Sequence, residues 1–131
     1  MRPDAWREAN DWLRRAERDL LAADRALTGE PPLGDAAVYH AQQAAEKALK
    51  ALLAGYGHPV PRTHDLVALL SQCSAIQPGL AQLLPAAETL TPYAVLFRYP
   101  GGPMEPESEE AREAIDLAVS VVEAARRLMG Q

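Results

Sequence analysis

Tyr39-His40-Ala41-Gln42-Gln43-Ala44-Ala45-Glu46-Lys47-Ala48-Leu49-Lys50-Ala51-Leu52-Leu53 is the stretch on which the reading of the fold turns. Val38, Ala41, Ala45, Ala48 and Leu52 recur every three or four residues, the repeat of one apolar helix face, and Leu49 and Leu53 widen it. Alanine at successive core positions lets a neighbouring backbone come close. His40, Gln43, Lys47 and Lys50 follow the same rhythm and share a second, polar face. The turn Gly57-His58-Pro59-Val60-Pro61-Arg62-Thr63-His64-Asp65 comes next, and a new helix follows it. From Tyr39 to Leu70 the chain holds all three histidines and three of its 13 basic residues, more than an ordinary helix pair needs.

Upstream, Trp6, Ala9, Leu13, Ala16, Leu20, Ala23 and Leu27 keep the helical spacing and predict a helix over residues 4–28 with one apolar face. On its outer side Asp11 can meet Arg15, whereas Arg14 faces Arg18. Gly29-Glu30-Pro31-Pro32-Leu33-Gly34 stops this helix, because proline cannot donate and glycine frees the backbone. Asp35 is placed to cap the second helix, which Gly55 and Gly57 end.

Downstream, Thr63 or Asp65 is expected to cap a third helix that turns Leu66, Leu69 and Leu70 inward and reaches about Ala75. A turn through Pro78 and Gly79 leads to Leu80, Leu83 and Leu84. A further helix is predicted over residues 86–97, kinked or split at Pro92. Arg98-Tyr99-Pro100-Gly101-Gly102-Pro103 breaks it, and the acidic loop to Glu107 is expected to be mobile. Ser108 is the expected cap of the last helix, with Glu109 and Glu110 in its first turn. Its apolar face is Ile115, Ala118, Val122, Ala125 and Met129, and Arg126 and Arg127 suit its C-terminal dipole. Alternating β-branched runs are missing. The chain therefore reads as all-α: an up-and-down antiparallel bundle of four to five helices, with residues 1–131 as one domain.

Composition narrows the function. Of 131 residues, 48% are apolar and 24% charged, the balance of a globular protein. The net charge of −5 argues against broad affinity for nucleic-acid backbones. Cys73 is the one cysteine, so no intrachain disulfide and no cysteine-based metal site can form. Met1-Arg2-Pro3-Asp4-Ala5-Trp6-Arg7 lacks the apolar run of a signal peptide, and no stretch reaches about 18 apolar residues. A cytoplasmic protein is expected.

The polar stripe can offer two ammonium groups to an anion such as a phosphate, although a solvated helix face would look the same. Pro59 and Pro61 stiffen the turn that presents Arg62, Thr63 and His64, beside helix amides that attract anions. Arg98 and Tyr99, before Pro100, are the third candidate, with a stacked arginine at a helix stop as the plainer alternative. The histidines lack the spacing of a zinc helix, Gly101-Gly102 lacks a phosphate-loop context, and neither Ser71 nor Ser74 sits as a nucleophile. Neither metal nor cofactor is expected.

The run Ala41 to Leu52, the segment Pro61-Arg62-Thr63-His64-Asp65-Leu66 and Arg98-Tyr99-Pro100, in that order, resemble the signature of the HEPN domain family. The resemblance implies a bundle like the substrate-binding domain of the kanamycin nucleotidyltransferase class, commonly a homodimer. It also implies a link to small nucleotidyltransferases, in which the domain has been proposed to bind nucleotides. Other HEPN proteins are RNA-cutting toxins of toxin–antitoxin systems, marked by an Arg four to six residues before a His. Here His40 would need it among Leu33, Gly34 and Asp35, His58 among Ala51, Leu52 and Leu53, and His64 among Gly57, His58 and Pro59. The ribonuclease motif is absent.

The expectation is thus a non-catalytic module that binds a nucleotide or other phosphate-bearing ligand through His40, Gln43, Lys47, Lys50, Arg62, His64, Arg98 and Tyr99. A small nucleotidyltransferase would be its partner. One alternative is a ribonuclease toxin with a non-standard site based on His64 or His40. The other is a purely structural dimerising protein, in which Gln43 and Lys47 bond across the bundle.

Overall fold

The computed structural model describes residues 3–131, which form five α-helices: α1 (Pro3–Thr28), α2 (Gly34–Gly55), α3 (Leu66–Ile76), α4 (Leu84–Leu90) and α5 (Ser108–Leu128). Two 3₁₀ turns, Pro78–Leu83 and Thr91–Ala94, flank α4, and no strand occurs among the described residues. Contacts across α1 fix the directions of the long helices. Trp12 meets Lys50 while Asp19 meets His40, so α1 and α2 run antiparallel. Asp24 meets Arg112 while Glu17 meets Arg126, so α5 also runs against α1.

α2 is the axis of the bundle. It packs most extensively on α1, then on α5 and α3, with the turn at Thr91–Ala94 and α4 closing the remaining side. Ala37, Ala41, Ala44, Ala45, Ala48 and Ala51 are all fully buried, and their small side chains allow several helices to approach one. The predicted faces of α2, α3 and α5 are buried as expected. On α1, Ala9, Leu13, Ala16 and Ala23 are buried, but Trp6 lies outside the core at 38% exposure, because Ala5, four residues before Ala9, takes the inward place at that turn.

Helix ends differ most from expectation. Asp35 is not the cap of α2: the helix begins one residue earlier, at Gly34, and Leu33 at the cap position makes no side-chain bond. Ser108 likewise opens α5 rather than capping it, with Glu107 at the cap position. Of the two candidates for α3, Asp65 is the cap, its Oδ1 accepting from the amides of Val67 and Ala68 at 3.0 and 3.2 Å. The helix expected over 86–97 begins at Leu84, tightens into a 3₁₀ turn around Pro92 and stops at Ala94. Phe97 then takes a positive φ of 70°. The acidic loop is not free: Glu105 bonds the Gly34 amide at 3.3 Å and Pro106 is buried.

Candidate functional site

The polar face of α2 is covered rather than solvated, because α1 crosses one part of it and the turn before α3 covers the other. Two carboxylates make that burial tolerable. Asp19, from α1, is 8% exposed and holds the Lys47 ammonium at 2.6 Å through Oδ2 and the His40 ring at 2.8 Å through Oδ1. Glu46, from α2 itself, is 4% exposed and holds Lys50 at 3.0 Å through Oε2 and His64 at 2.7 Å through Oε1. Each acid thus balances one lysine and steadies one histidine. A buried charge without such a partner would cost several kcal/mol or more.

The Glu46 cluster is closed around the acid and the lysine. Gln42, fully buried, donates to the His64 carbonyl at 3.0 Å and accepts from Gln43 at 2.8 Å. Both glutamine amides also approach Glu46 Oε1 at 3.4 Å. Glu46 precedes Lys50 by one helical turn, the favoured order for such a pair, and Lys50 lies 5.6 Å over the Trp12 ring. These bonds fasten the His64 turn to α2 and bury Glu46 and Lys50, while the His64 ring itself is 69% exposed and its Nε2 has no partner among the described residues.

The Asp19 cluster opens outward. An ionised carboxylate only accepts, so the proton that His40 shares with Asp19 sits on Nδ1, and Nε2 is left free. His40 lines an open hollow of about 500 Å³ together with Asp35, Ala36, Tyr39, Phe97 and Arg98. The Arg98 guanidinium stacks 4.2 Å over the Tyr39 ring, and no carboxylate pairs with it among the described residues. Lys47 faces a different hollow, lined by Glu8, Asp11, Trp12 and Arg15.

The eight sequence candidates are therefore not gathered in one place. His40 and Arg98 share a hollow, and Tyr99 stands exposed next to it. Gln43, Lys50 and His64 belong to the Glu46 cluster, Lys47 bridges to α1, and Arg62 lies on the turn with no side-chain partner among the described residues. Asp19, Glu46 and Tyr39 escaped the sequence reading. A signal for Asp19 existed: it falls in register with Trp12, Ala16, Ala23 and Ala26, where an apolar residue is expected.

Away from this region, Cys73 is fully buried, and its thiol donates to the Leu49 carbonyl at 3.5 Å. Burial pushes its pKa up to about 12, so it is an inert core residue. Tyr93 is buried beside α5 and donates to Glu110 at 2.6 Å. Burial first, then that bond, pushes its phenol above the usual range.

A bundle built round one alanine-rich helix, with its polar face locked by acids and one stacked arginine left without a carboxylate partner among the described residues, defines an all-α domain whose candidate site is a surface hollow rather than a buried cavity. No helix among the described residues is long and apolar enough to cross a membrane. The HEPN domain model matches residues 9–128. The crystal structure of TT1696 from Thermus thermophilus is similar, with a TM-score of 0.81 and 31% identity over 92% of this chain and 97% of that one. ST0689, an archaeal HEPN homologue, gives 0.74 and 29% over 93% and 98%. No curated protein matches. The chain belongs to the HEPN domain family.

Proposed function

We propose that residues 1–131 act as a single, non-catalytic HEPN module that binds a nucleotide or other phosphate-bearing ligand in the hollow beside Arg98. The module would act in the cytoplasm, as a homodimer and as the partner of a small nucleotidyltransferase. One observation carries the ligand site: Arg98 is stacked on Tyr39 at the rim of a hollow it shares with His40, and no carboxylate among the described residues neutralises it. An arginine held over an aromatic ring, with no carboxylate on it, keeps N–H donors for a phosphate. Asp35 in the same hollow suits a ligand with hydroxyl or amine donors as well, which a nucleotide has. Gln43, Lys50 and His64 serve by holding the frame. Lys47 contributes through Asp19, which orients His40.

Isothermal titration with ATP and GTP tests this reading on the wild type, Arg98→Ala and Lys47→Ala. Saturable binding that Arg98→Ala weakens roughly tenfold to a hundredfold is expected, the range for a lost charged hydrogen bond. No heat with either nucleotide would sink it, and a loss confined to Lys47→Ala would move the phosphate to the hollow beside Trp12.

The hydrogen bond from His40 to Asp19 favours a second reading. A histidine so oriented, with Nε2 free and an arginine on the same hollow, has the parts of a general base and an anion stabiliser. A toxin-type ribonuclease centred on His40 predicts RNA cleavage that His40→Ala abolishes. Intact RNA after prolonged incubation with the wild type would end it.

A further inference from the structure

Arg98 is exposed, and a single exposed cation–π contact is too weak to order the loop that follows it. The loop is nevertheless fastened to α2 at its far end as well. Gly34, first residue of α2, has an amide that no carbonyl within the helix can reach, and Leu33 at the cap offers no side chain for it. Glu105 fills that need, its Oε2 accepting from the Gly34 amide at 3.3 Å. Pro106, buried, packs on the same residue so closely that a Cβ at position 34 would lie 3.0 Å from its carbonyl oxygen and 3.4 Å from its ring carbons. Any larger residue at position 34 would push that backbone away by a few tenths of an ångström.

The two anchors lie on neighbouring turns of one helix. Tyr39, under Arg98, is five residues beyond Gly34, about 7.5 Å along the axis. Between the anchors the chain is exposed apart from its own turn, closed by the Gly102 amide on the Tyr99 carbonyl at 3.3 Å. Before them, Phe97 stacks on Tyr93 with ring centres 6.2 Å apart, and Tyr93 bonds Glu110 at the start of α5.

We propose that residues 98–106 form a strap whose anchorage at Gly34 positions Arg98 over Tyr39. Gly34, Glu105 and Pro106 are then positioning residues for the hollow without touching what binds in it. The effect on affinity rests on the nucleotide-binding reading, whereas the coupling of the two anchors does not.

Amide hydrogen exchange by NMR on the wild type, Glu105→Ala and Gly34→Ala, paired with ATP titration, tests both parts. Either variant is expected to speed exchange at the Arg98 and Gly102 amides roughly tenfold, with the interior of α2 unchanged. In Glu105→Ala the Gly34 amide speeds up as well. ATP affinity is expected to fall severalfold although Arg98 is intact. Faster exchange at Gly34 alone, with Arg98 and Gly102 unmoved, would overturn the coupling. Coupled exchange with unchanged ATP affinity, in a protein where Arg98→Ala does weaken binding, would overturn the positioning role. Should Gly34→Ala fail to fold, Glu105→Ala decides. A wild type that binds no ATP removes the function reading and leaves the exchange result to judge the strap.

Discussion

The two acidic centres on α2 begin from the same ingredients and end differently. Glu46 and Asp19 each hold one lysine and one histidine. Around Glu46 two glutamines complete the bonding and Trp12 lies under the lysine, so the cluster is a joint. Around Asp19 nothing closes the outer side, and His40 looks into a hollow beside Arg98. The lysines follow that contrast, Lys50 being buried and Lys47 a quarter exposed, whereas the histidines reverse it: His64 stands on the exposed turn and His40 is half-buried at the hollow. What separates them is which element covers the charges.

The sharpest way to break that contrast is to remove the joint. Glu46→Ala leaves Lys50 buried without its counter-ion and frees the turn at His64, and a loss of about 3–5 kcal/mol in urea unfolding is expected. A loss under about 1 kcal/mol would show the cluster to be loosely solvated. Asp19→Ala comes next, at about 1–3 kcal/mol, because Lys47 and His40 can turn partly to water once released. Equal losses for the two variants would erase the distinction. Arg98→Ala should leave stability within about 0.5 kcal/mol and act on ligand affinity alone.

The last effect appears only at alkaline pH, lies outside both centres and serves as a control. The folded Cys73 thiol ionises near 12, above its ordinary 9.0. Its contribution is therefore complete below pH 9 and is lost as the pH rises toward 12, since the unfolded chain releases the proton first. Urea midpoints of the wild type and Cys73→Ala at neutral and alkaline pH should diverge, with the wild type losing more. A constant difference would place the thiol in contact with water.

The helices were legible because burial repeats. Leu13, Ala16 and Ala23, or Ile115, Ala118 and Val122, announce a face by spacing alone, and the HEPN signature placed α2 and the turn after it. Helix ends were less so. Asp35 and Ser108 have the right chemistry for caps, but Glu105 serves the start of α2 from elsewhere in the chain, and α5 begins at Ser108 with no side-chain cap at all. The candidate site was legible in its cations and not in its anions. Periodicity says which residues share a helix face, whereas Asp19 reaching Lys47 across 28 positions is a fact of packing. For the same reason the stripe at His40, Gln43, Lys47 and Lys50 looked like one surface and proved to be divided between two.

The neutrality of the paired clusters has a consequence at long range. Asp19 with Lys47, and Glu46 with Lys50, cancel inside the bundle, so the whole charge of −5 belongs to the remaining side chains. A small anion on its way to Arg98 meets a repulsive field that shortens to about 8 Å at physiological ionic strength. Added salt should therefore speed its capture in stopped-flow mixing, the opposite of what a basic nucleic-acid surface shows. A rate that falls with salt would mean that Arg98 and His40 govern the field at their own doorway.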